Sequence, residues 1–155
     1  MKRVVFLILA LAGLAGCAKW NASHSKDFTY TGCAAETRTS YIGGVEPSLL
    51  SLKYEDGDLR VTRKNAMMGC AIKERGLACK VYVEGNVIHY YVDYERDGND
   101  ADCICPVEEL SSLVTGLHEG KEYLFYYCGL DRYLNAVTFT FNKGLHEVFD
   151  VETLK

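Results

Sequence analysis

The stretch LHEGKEYLFYYC (Leu117–Cys128) indicates the fold most directly. It opens with a leucine and a turn that contains glycine, and a tyrosine follows six residues after the leucine. The aromatic run that comes next is typical of a strand. Because successive side chains of a strand point to opposite faces, we expect Tyr123, Phe125 and Tyr127 to face the core and Cys128 to face the other way.

The same alternation recurs along most of the chain from Asp27 onwards. Asp56-Gly57 and Glu84-Gly85-Asn86 each separate two alternating runs, which predicts two hairpins. Only Pro106–Ser112 could hold a helical turn. About seven to nine short strands with almost no helix predict an all-β protein, either an antiparallel sandwich or a barrel. The strand signals lie at Phe28–Cys33, Leu50–Tyr54, Leu59–Thr62, Val81–Val83, Val87–Val92, Lys121–Cys128, Ala136–Phe141 and Leu145–Val151.

Leu117, Gly120 and Tyr123 resemble the tyrosine corner of fibronectin type III and other immunoglobulin-like sandwiches. In that family a tyrosine on the penultimate strand folds back, and its hydroxyl hydrogen-bonds the backbone of the preceding arch. Tyr126 and Cys128 also fit the immunoglobulin spacing Tyr-x-Cys, so two placements of the corner compete. We prefer Tyr123, because the leucine and the glycine before it fit. The resemblance implies an immunoglobulin-like antiparallel β-sandwich.

The N-terminus has the pattern of an export signal. Two basic residues precede the apolar run Val4–Leu14, which is too short for a stable membrane span but suits a secretory signal. The run ends in Leu14-Ala15-Gly16-Cys17, which resembles the lipobox of bacterial lipoproteins at all four positions. The resemblance implies that residues 1–16 are removed and that the thiol of Cys17 receives lipid. An ordinary signal peptide with a chance cysteine is the alternative.

The chain after the signal divides into a tether and one domain. Residues 17–26 are small and polar without an apolar period, and we interpret them as a lipidated tether. Residues 27–155 are long enough for a single domain with its own core. The residues after Cys17 lack an acidic cluster of the kind that marks surface export. We therefore expect a lipid-anchored protein of the bacterial cell envelope, on the outer membrane and facing the periplasm.

The charge of the chain excludes one class of partner. Two of the 17 basic residues lie in the signal, so the mature chain carries 15 basic and 21 acidic residues, a net charge of −6. No cluster of lysine and arginine occurs in the sequence. Nucleic-acid binding depends on phosphate neutralisation, so we expect none. Contact with the membrane is expected through the N-terminal lipid alone.

Seven cysteines occur, and six remain when Cys17 is assigned to lipid. An even number in an exported chain suggests disulfides, although six cysteines permit fifteen pairings. A direct bond between Cys103 and Cys105 is sterically unfavourable, because residues i and i+2 of a strand lie about 6.6 Å apart with parallel side chains. We predict that Cys70 pairs with one of these two, and the other pairings stay open. The six disulfide candidates are Cys33, Cys70, Cys79, Cys103, Cys105 and Cys128.

Zinc is not expected, because the chain has no CxxC and its four histidines are isolated in sequence. One segment, from Asp93 to Asn99, resembles the first half of a calcium loop, with oxygen ligands at alternate positions and glycine at the turn. The pattern then fails, since Ile104 occupies the position of the bidentate glutamate. Calcium is the one cofactor considered; the alternative is a solvated acidic turn. The candidate ligands are Asp93, Glu95, Asp97, Asn99, Asp100 and Asp102.

Three segments also resemble small uncharacterised lipoproteins of gut bacteria. They are YEDGDLRVTRKNAMMGC (Tyr54–Cys70), DCICP (Asp102–Pro106) and GLHEGKEY (Gly116–Tyr123). The resemblance implies a lipid-anchored immunoglobulin-like domain, and it supplies no catalytic residues.

The sequence contains no recognisable catalytic set. There is no Gly-x-Ser-x-Gly and no glycine-rich phosphate loop before a helix. A Cys-His enzyme would need a free thiolate, whereas the six cysteines can all pair. We therefore expect a non-enzymatic binding protein with an unknown protein or glycan ligand. The alternative is an inhibitor or accessory subunit of an envelope enzyme, which would insert the acidic loop 93–102 into a basic cleft.

Overall fold

The computed structural model describes residues 24–32, 46–69, 76–93, 104–129 and 136–154. This part of the chain contains no helix that is long and apolar enough to cross a membrane. Its last strand is followed by a short 3₁₀ turn, Val151–Thr153. The strands are β1 (Ser25–Tyr30), β2 (Leu49–Glu55), β3 (Asp58–Gly69), β4 (Ala78–Glu84), β5 (Val87–Asp93), β6 (Ile104–Val114), β7 (Glu122–Cys128), β8 (Val137–Thr140) and β9 (His146–Asp150).

The nine strands form two sheets. One has five strands in the order β1-β6-β3-β2-β9, and the other has four in the order β4-β5-β7-β8. The inner faces of both sheets contribute to one buried core, in which Leu52 and Val61 come from the first sheet and Ile88 and Phe125 from the second. The prediction of an all-β protein is confirmed for the described residues, and their arrangement is that of a two-layer β-sandwich.

One strand pairing differs from the expected antiparallel arrangement. β5 and β7 run parallel, with Ile88 opposite Phe125 and Tyr90 opposite Tyr127. The other pairings between described strands are antiparallel. The cause lies in the chain path: β6 separates β5 from β7 in sequence and belongs to the other sheet. The chain therefore reverses twice before β7, which returns it to the direction of β5.

Both predicted hairpins are confirmed. Glu55 lies opposite Asp58, so β2 and β3 are joined by the two residues Asp56 and Gly57 alone. These have φ values of 51° and 96°, and a two-residue turn with both φ values positive is the type I′ turn that Asp-Gly favours. The second hairpin joins β4 to β5 through Gly85 and Asn86.

The expectation of a helical turn at Pro106–Ser112 is wrong. These residues lie inside β6, which also means that Pro106 does not end the strand. β1 pairs with β6 only over positions 110–114. The missing N–H of Pro106 therefore falls outside the β1 ladder, and proline is tolerated in strands at such open sides.

The connections between strands sort into two ends of the sandwich. One end, which we call the His24 end, contains His24, the turns at 56–57 and 85–86, the loop 115–121 and the turn 141–145. At the opposite end lie the described starts of β2, β4 and β6 and the described ends of β3, β5, β7 and β9. β1 begins at Ser25, so the folded domain starts before the boundary at Asp27 that the sequence predicted.

Candidate functional site

The outer face of the four-stranded sheet carries a group of aromatic side chains. Val81, Ile88 and Phe125 point into the core. The residues next to them along β4, β5 and β7 therefore lie on the outer face, because strand side chains alternate. Tyr82 lies opposite His89, and His89 lies opposite Tyr126. We call Tyr82, His89, Tyr91 and Tyr126 the aromatic face.

The four rings of the aromatic face contact one another. The ring centroids of His89 and Tyr126 are 5.3 Å apart, with 10° between the ring planes. His89 and Tyr91 stack at 6.4 Å and 17°, and Tyr82 meets Tyr91 edge-on at 5.8 Å. All four side chains are half-buried. Because this packing already limits their rotamers, these four side chains lose little further conformational entropy when a partner binds.

The aromatic face is flanked by apolar residues, and polar and charged residues lie at its margin. Val87 and Leu124 lie opposite each other on the same outer face and are half-buried. Lys80, Glu84 and Thr138 are exposed at its margin. An apolar, tyrosine-rich centre with a polar rim is the composition of a protein-binding surface.

The outer face of the five-stranded sheet has a different chemistry. Arg60 Nη2 contacts Glu55 Oε1 at 2.6 Å, and the hydrogen bond from Arg60 lowers the pKa of the Glu55 carboxyl. Lys64 pairs with Glu109 at 3.7 Å, and Lys53 is exposed. This face carries two ion pairs of the kind found on a solvated surface, together with one exposed apolar side chain, Val148, and it presents no cluster of aromatic rings among the described residues. The aromatic character is therefore specific to the four-stranded sheet.

The predicted tyrosine corner has a structural role. The backbone N–H of His118 donates to the hydroxyl of Tyr123 at 2.9 Å, which is the expected bond between phenol and arch. Leu117 is buried beneath the arch, and Gly120 has a φ of 83°, which favours glycine. Tyr126, the competing candidate, lies on the outer face. Tyr123, Phe125 and Tyr127 are buried, as the alternation predicted, and Cys128 is on the other side.

Two of the six disulfide candidates are described in full, and both are free thiols. Cys79 lies on the inner side of β4, with its Sγ 3.8 Å from the Ser112 Oγ. Cys128 is half-buried on the outer side of β7, and burial raises the pKa of its thiol. Neither forms the disulfide expected of it, and a raised pKa makes Cys128 a poor nucleophile at neutral pH.

The other cysteine assignments concern residues outside the described part. Cys17, Cys33, Cys70 and Cys103 lie there, and of Cys105 only the backbone is described, opposite Met68 in β3.

The acidic segment also falls largely outside the described residues. Asp93 is the exposed last residue of β5, whereas Glu95, Asp97, Asn99, Asp100 and Asp102 lie beyond the described ranges. Calcium binding and the inhibitor role of residues 93–102 therefore stay predictions. Within the described residues, no three His, Cys, Asp or Glu side chains are grouped so as to hold a metal ion.

A buried polar cluster between the sheets was not predicted. The Tyr90 hydroxyl and the Ser112 hydroxyl are 2.8 Å apart and join the four-stranded sheet to the five-stranded sheet. Burial raises the pKa of the Tyr90 phenol well above its usual value. Arg63 is 1% exposed, donates to the carbonyl of Lys64 at 2.7 Å and lies 5.8 Å from the ring of Tyr127. The sequence did contain a signal for the burial of Arg63. It continues the alternation of the inward-facing Leu59 and Val61, so a basic residue stands at an inward position.

The aromatic face was also missed from the sequence, because its residues come from three strands whose pairing was unknown. The sequence signal for the aromatic face was that several aromatic residues stand at the outward-facing positions of segments with alternating apolar and polar residues. No family model, no curated protein and no solved structure matches this chain. Its function is therefore inferred from its residues and their geometry.

Proposed function

We propose that this chain is a lipid-anchored, non-enzymatic binding protein of the bacterial cell envelope that holds a partner protein on its aromatic face. The observation that carries the proposal is the contrast between the two outer faces. One presents Tyr82, His89, Tyr91 and Tyr126 in mutual contact, and the other presents ion pairs. Tyrosine supplies large contact area together with a hydrogen-bonding hydroxyl, which is why it is enriched at protein interfaces.

A protein partner fits this surface better than a glycan. A sugar stacks on an aromatic ring whose face is open. Here the ring of His89 lies nearly parallel to those of both Tyr126 and Tyr91, at centroid distances of 5.3 and 6.4 Å, so neighbouring rings occupy part of the space that a sugar would need over it. A patch of rings that already pack on one another, with hydroxyl groups at their tips, suits the mixed apolar and polar contacts of a protein interface.

The lipobox resemblance at Leu14–Cys17 supports a location in the envelope. The hydrogen bond between Tyr123 and the backbone of His118 supports a relationship to the immunoglobulin-like sandwiches. The parallel pairing of β5 with β7 departs from the immunoglobulin pattern, in which neighbouring strands are antiparallel. We therefore propose a relative of that family with an altered strand path.

Affinity capture from envelope extract tests the binding face. The bait is the mature protein, and the test variant carries Tyr82→Thr, Tyr91→Thr and Tyr126→Thr, which keep residues that favour strands. The matched control carries Lys53→Thr and Lys64→Thr on the other outer face. Thermal unfolding establishes that each bait is folded.

We expect one protein to be captured by the wild type and the control and lost with the aromatic variant. Capture that survives in the aromatic variant, or is lost equally in both variants, contradicts the proposed face. Binding to a glycan array without any captured protein would replace the protein partner by a glycan.

A further inference from the structure

The chain enters the folded domain at a fixed point, His24. Its backbone N–H donates to the carbonyl of Val81 at 2.9 Å, and its own carbonyl accepts from the N–H of Thr115 at 2.9 Å. The ring Nδ1 lies 3.1 Å from the Thr115 carbonyl oxygen. Val81 belongs to β4 and Thr115 directly follows β6, so His24 is bonded to both sheets. The chain before it therefore starts from a rigid position.

The link between this point and the proposed lipid is short. Cys17 and His24 are separated by residues 18–23. Seven Cα–Cα steps span at most about 25 Å when fully extended, and a flexible chain of that length has a root-mean-square span of roughly 15 Å. The strand β6 alone has 11 residues and is about 36 Å long. The reach of the link is thus shorter than the sandwich.

On these grounds, and resting on the proposed lipid anchor at Cys17, we infer that the His24 end of the sandwich faces the membrane. The opposite end reaches the bilayer only when the link is stretched and the domain tips over, which costs conformational entropy. Strands run from one end to the other, so the aromatic face points along the membrane plane. A partner therefore reaches this face from the side, alongside the membrane.

The chemistry of the His24 end suits apposition to lipid headgroups without insertion. Its exposed residues include Asp56, His118, Glu119, Asn142 and Lys143, which mix both signs of charge and contain no apolar side chain. Such a surface neither penetrates hydrocarbon nor attracts anionic lipid strongly. The orientation therefore comes from the link and its fixed attachment to His24.

Photo-crosslinking to lipid tests the orientation. A benzophenone amino acid is placed at Glu119 or Lys143 on the His24 end, or at Glu46 or Glu152 at the opposite end, all of which are exposed. The lipidated full-length protein is reconstituted in vesicles of phosphatidylethanolamine and phosphatidylglycerol. After irradiation, protein–lipid adducts are counted by mass spectrometry. We expect adducts to be several-fold more abundant from the His24 end, and equal or reversed yields overturn the inference.

Two controls separate the orientation from the anchor. Inserting 20 Gly/Ser residues after Lys19 should bring the two ends to similar yields, and an unchanged ratio would show that the link does not set the orientation. Intact mass reports the lipid on Cys17, and Cys17→Ser should abolish all adducts. If the wild type carries lipid but the two ends give equal adduct yields, the orientation is refuted and the anchor stands. If the wild type carries no lipid, both the anchor and the orientation are refuted.

Discussion

His89 and Tyr126 stack across β5 and β7 with their ring centroids 5.3 Å apart and 10° between the ring planes. These two strands form the parallel pair of the four-stranded sheet, and their register places the two residues directly opposite each other. The departure from antiparallel topology and the aromatic face thus have one origin. The chain crosses to the other sheet and back, and this path brings β7 alongside β5.

Replacing Tyr126 by threonine should separate binding from stability. A cross-strand aromatic pair contributes roughly 0.2–1 kcal/mol, so the free energy of unfolding should fall by no more than about 1 kcal/mol. Loss of a tyrosine from the centre of a protein interface costs about 2 kcal/mol or more, so the affinity for the captured partner should fall by about thirtyfold or more. Urea unfolding and titration calorimetry measure the two effects. Thr62→Ala on the other outer face is the control, and an equal loss of affinity there contradicts the assignment.

Tyr123→Phe tests the corner bond. The variant keeps the ring of a fully buried side chain and removes the acceptor for the His118 N–H. We expect a loss of about 1 kcal/mol in the free energy of unfolding, the usual net value of one hydrogen bond. Tyr126→Phe, on the outer face, should change it by less than half as much. Denaturant titration decides, and a larger loss at position 126 would mean that the corner does not stabilise the arch.

Tyr90 should make the protein less stable at alkaline pH. Burial raises the pKa of its phenol in the folded protein, whereas the pKa of a tyrosine in an unfolded chain is about 10. The stabilising contribution is therefore complete below about pH 10 and is lost as the pH rises towards the folded pKa, by up to about 1.4 kcal/mol per pH unit. Cys79 also raises the pKa of the Tyr90 phenol, which adds to the loss of stability at alkaline pH.

Two variants at this cluster should differ in their pH dependence. Tyr90→Phe removes the titrating group and should flatten the unfolding profile above pH 10. Ser112→Ala breaks the same 2.8 Å bond but keeps the buried phenol, so the slope should persist. Each should cost about 1 kcal/mol at neutral pH. Identical alkaline profiles for the two variants would refute the assignment of the slope to Tyr90.

Methionine at position 63 should destabilise the protein less than alanine does. Arg63→Ala leaves a cavity and removes the donor to the Lys64 carbonyl and the Ser48 hydroxyl, at an expected cost of about 3 kcal/mol. Arg63→Met removes the same donor but fills most of the volume and ends the burial of a charge, so it should cost clearly less than the alanine variant. Thermal unfolding compares the two variants. Equal destabilisation would show that the charge itself is required.

The strand register sharpens one cysteine prediction. Gly69 of β3 lies opposite Ile104 of β6; Cys70 follows Gly69 in sequence, and Cys103 precedes Ile104. Cross-strand neighbours in an antiparallel pair have Cα atoms about 4.5–5.5 Å apart, within the range of a disulfide. We predict a Cys70–Cys103 bond, worth about 3–4 kcal/mol in the chain-entropy model.

Peptide mapping without reductant tests this bond. It should yield one linked peptide with Cys70 and Cys103, while Cys79 and Cys128 react with maleimide after unfolding. A bond from Cys70 to Cys105, or none at all, contradicts the prediction.

Local chemistry made some features of this fold predictable. Asp56-Gly57 specifies its turn through two residues, and Tyr123 specifies the corner through its spacing from Leu117. Pro106 was misjudged because its tolerance depends on where β1 stops pairing with β6. The aromatic face depends on register between strands that are distant in sequence, since Tyr82 and Tyr126 meet only through His89. No periodicity within one segment carries that information.

Photo-crosslinking in living cells tests the proposed binding face most directly. The photoreactive amino acid replaces Leu124, which lies beside the aromatic face without belonging to its stack, or Lys53 on the other outer face. The proposed function predicts a protein adduct of one defined mass from position 124 and none from position 53. No adduct from position 124, or equal adducts from both positions, would contradict it.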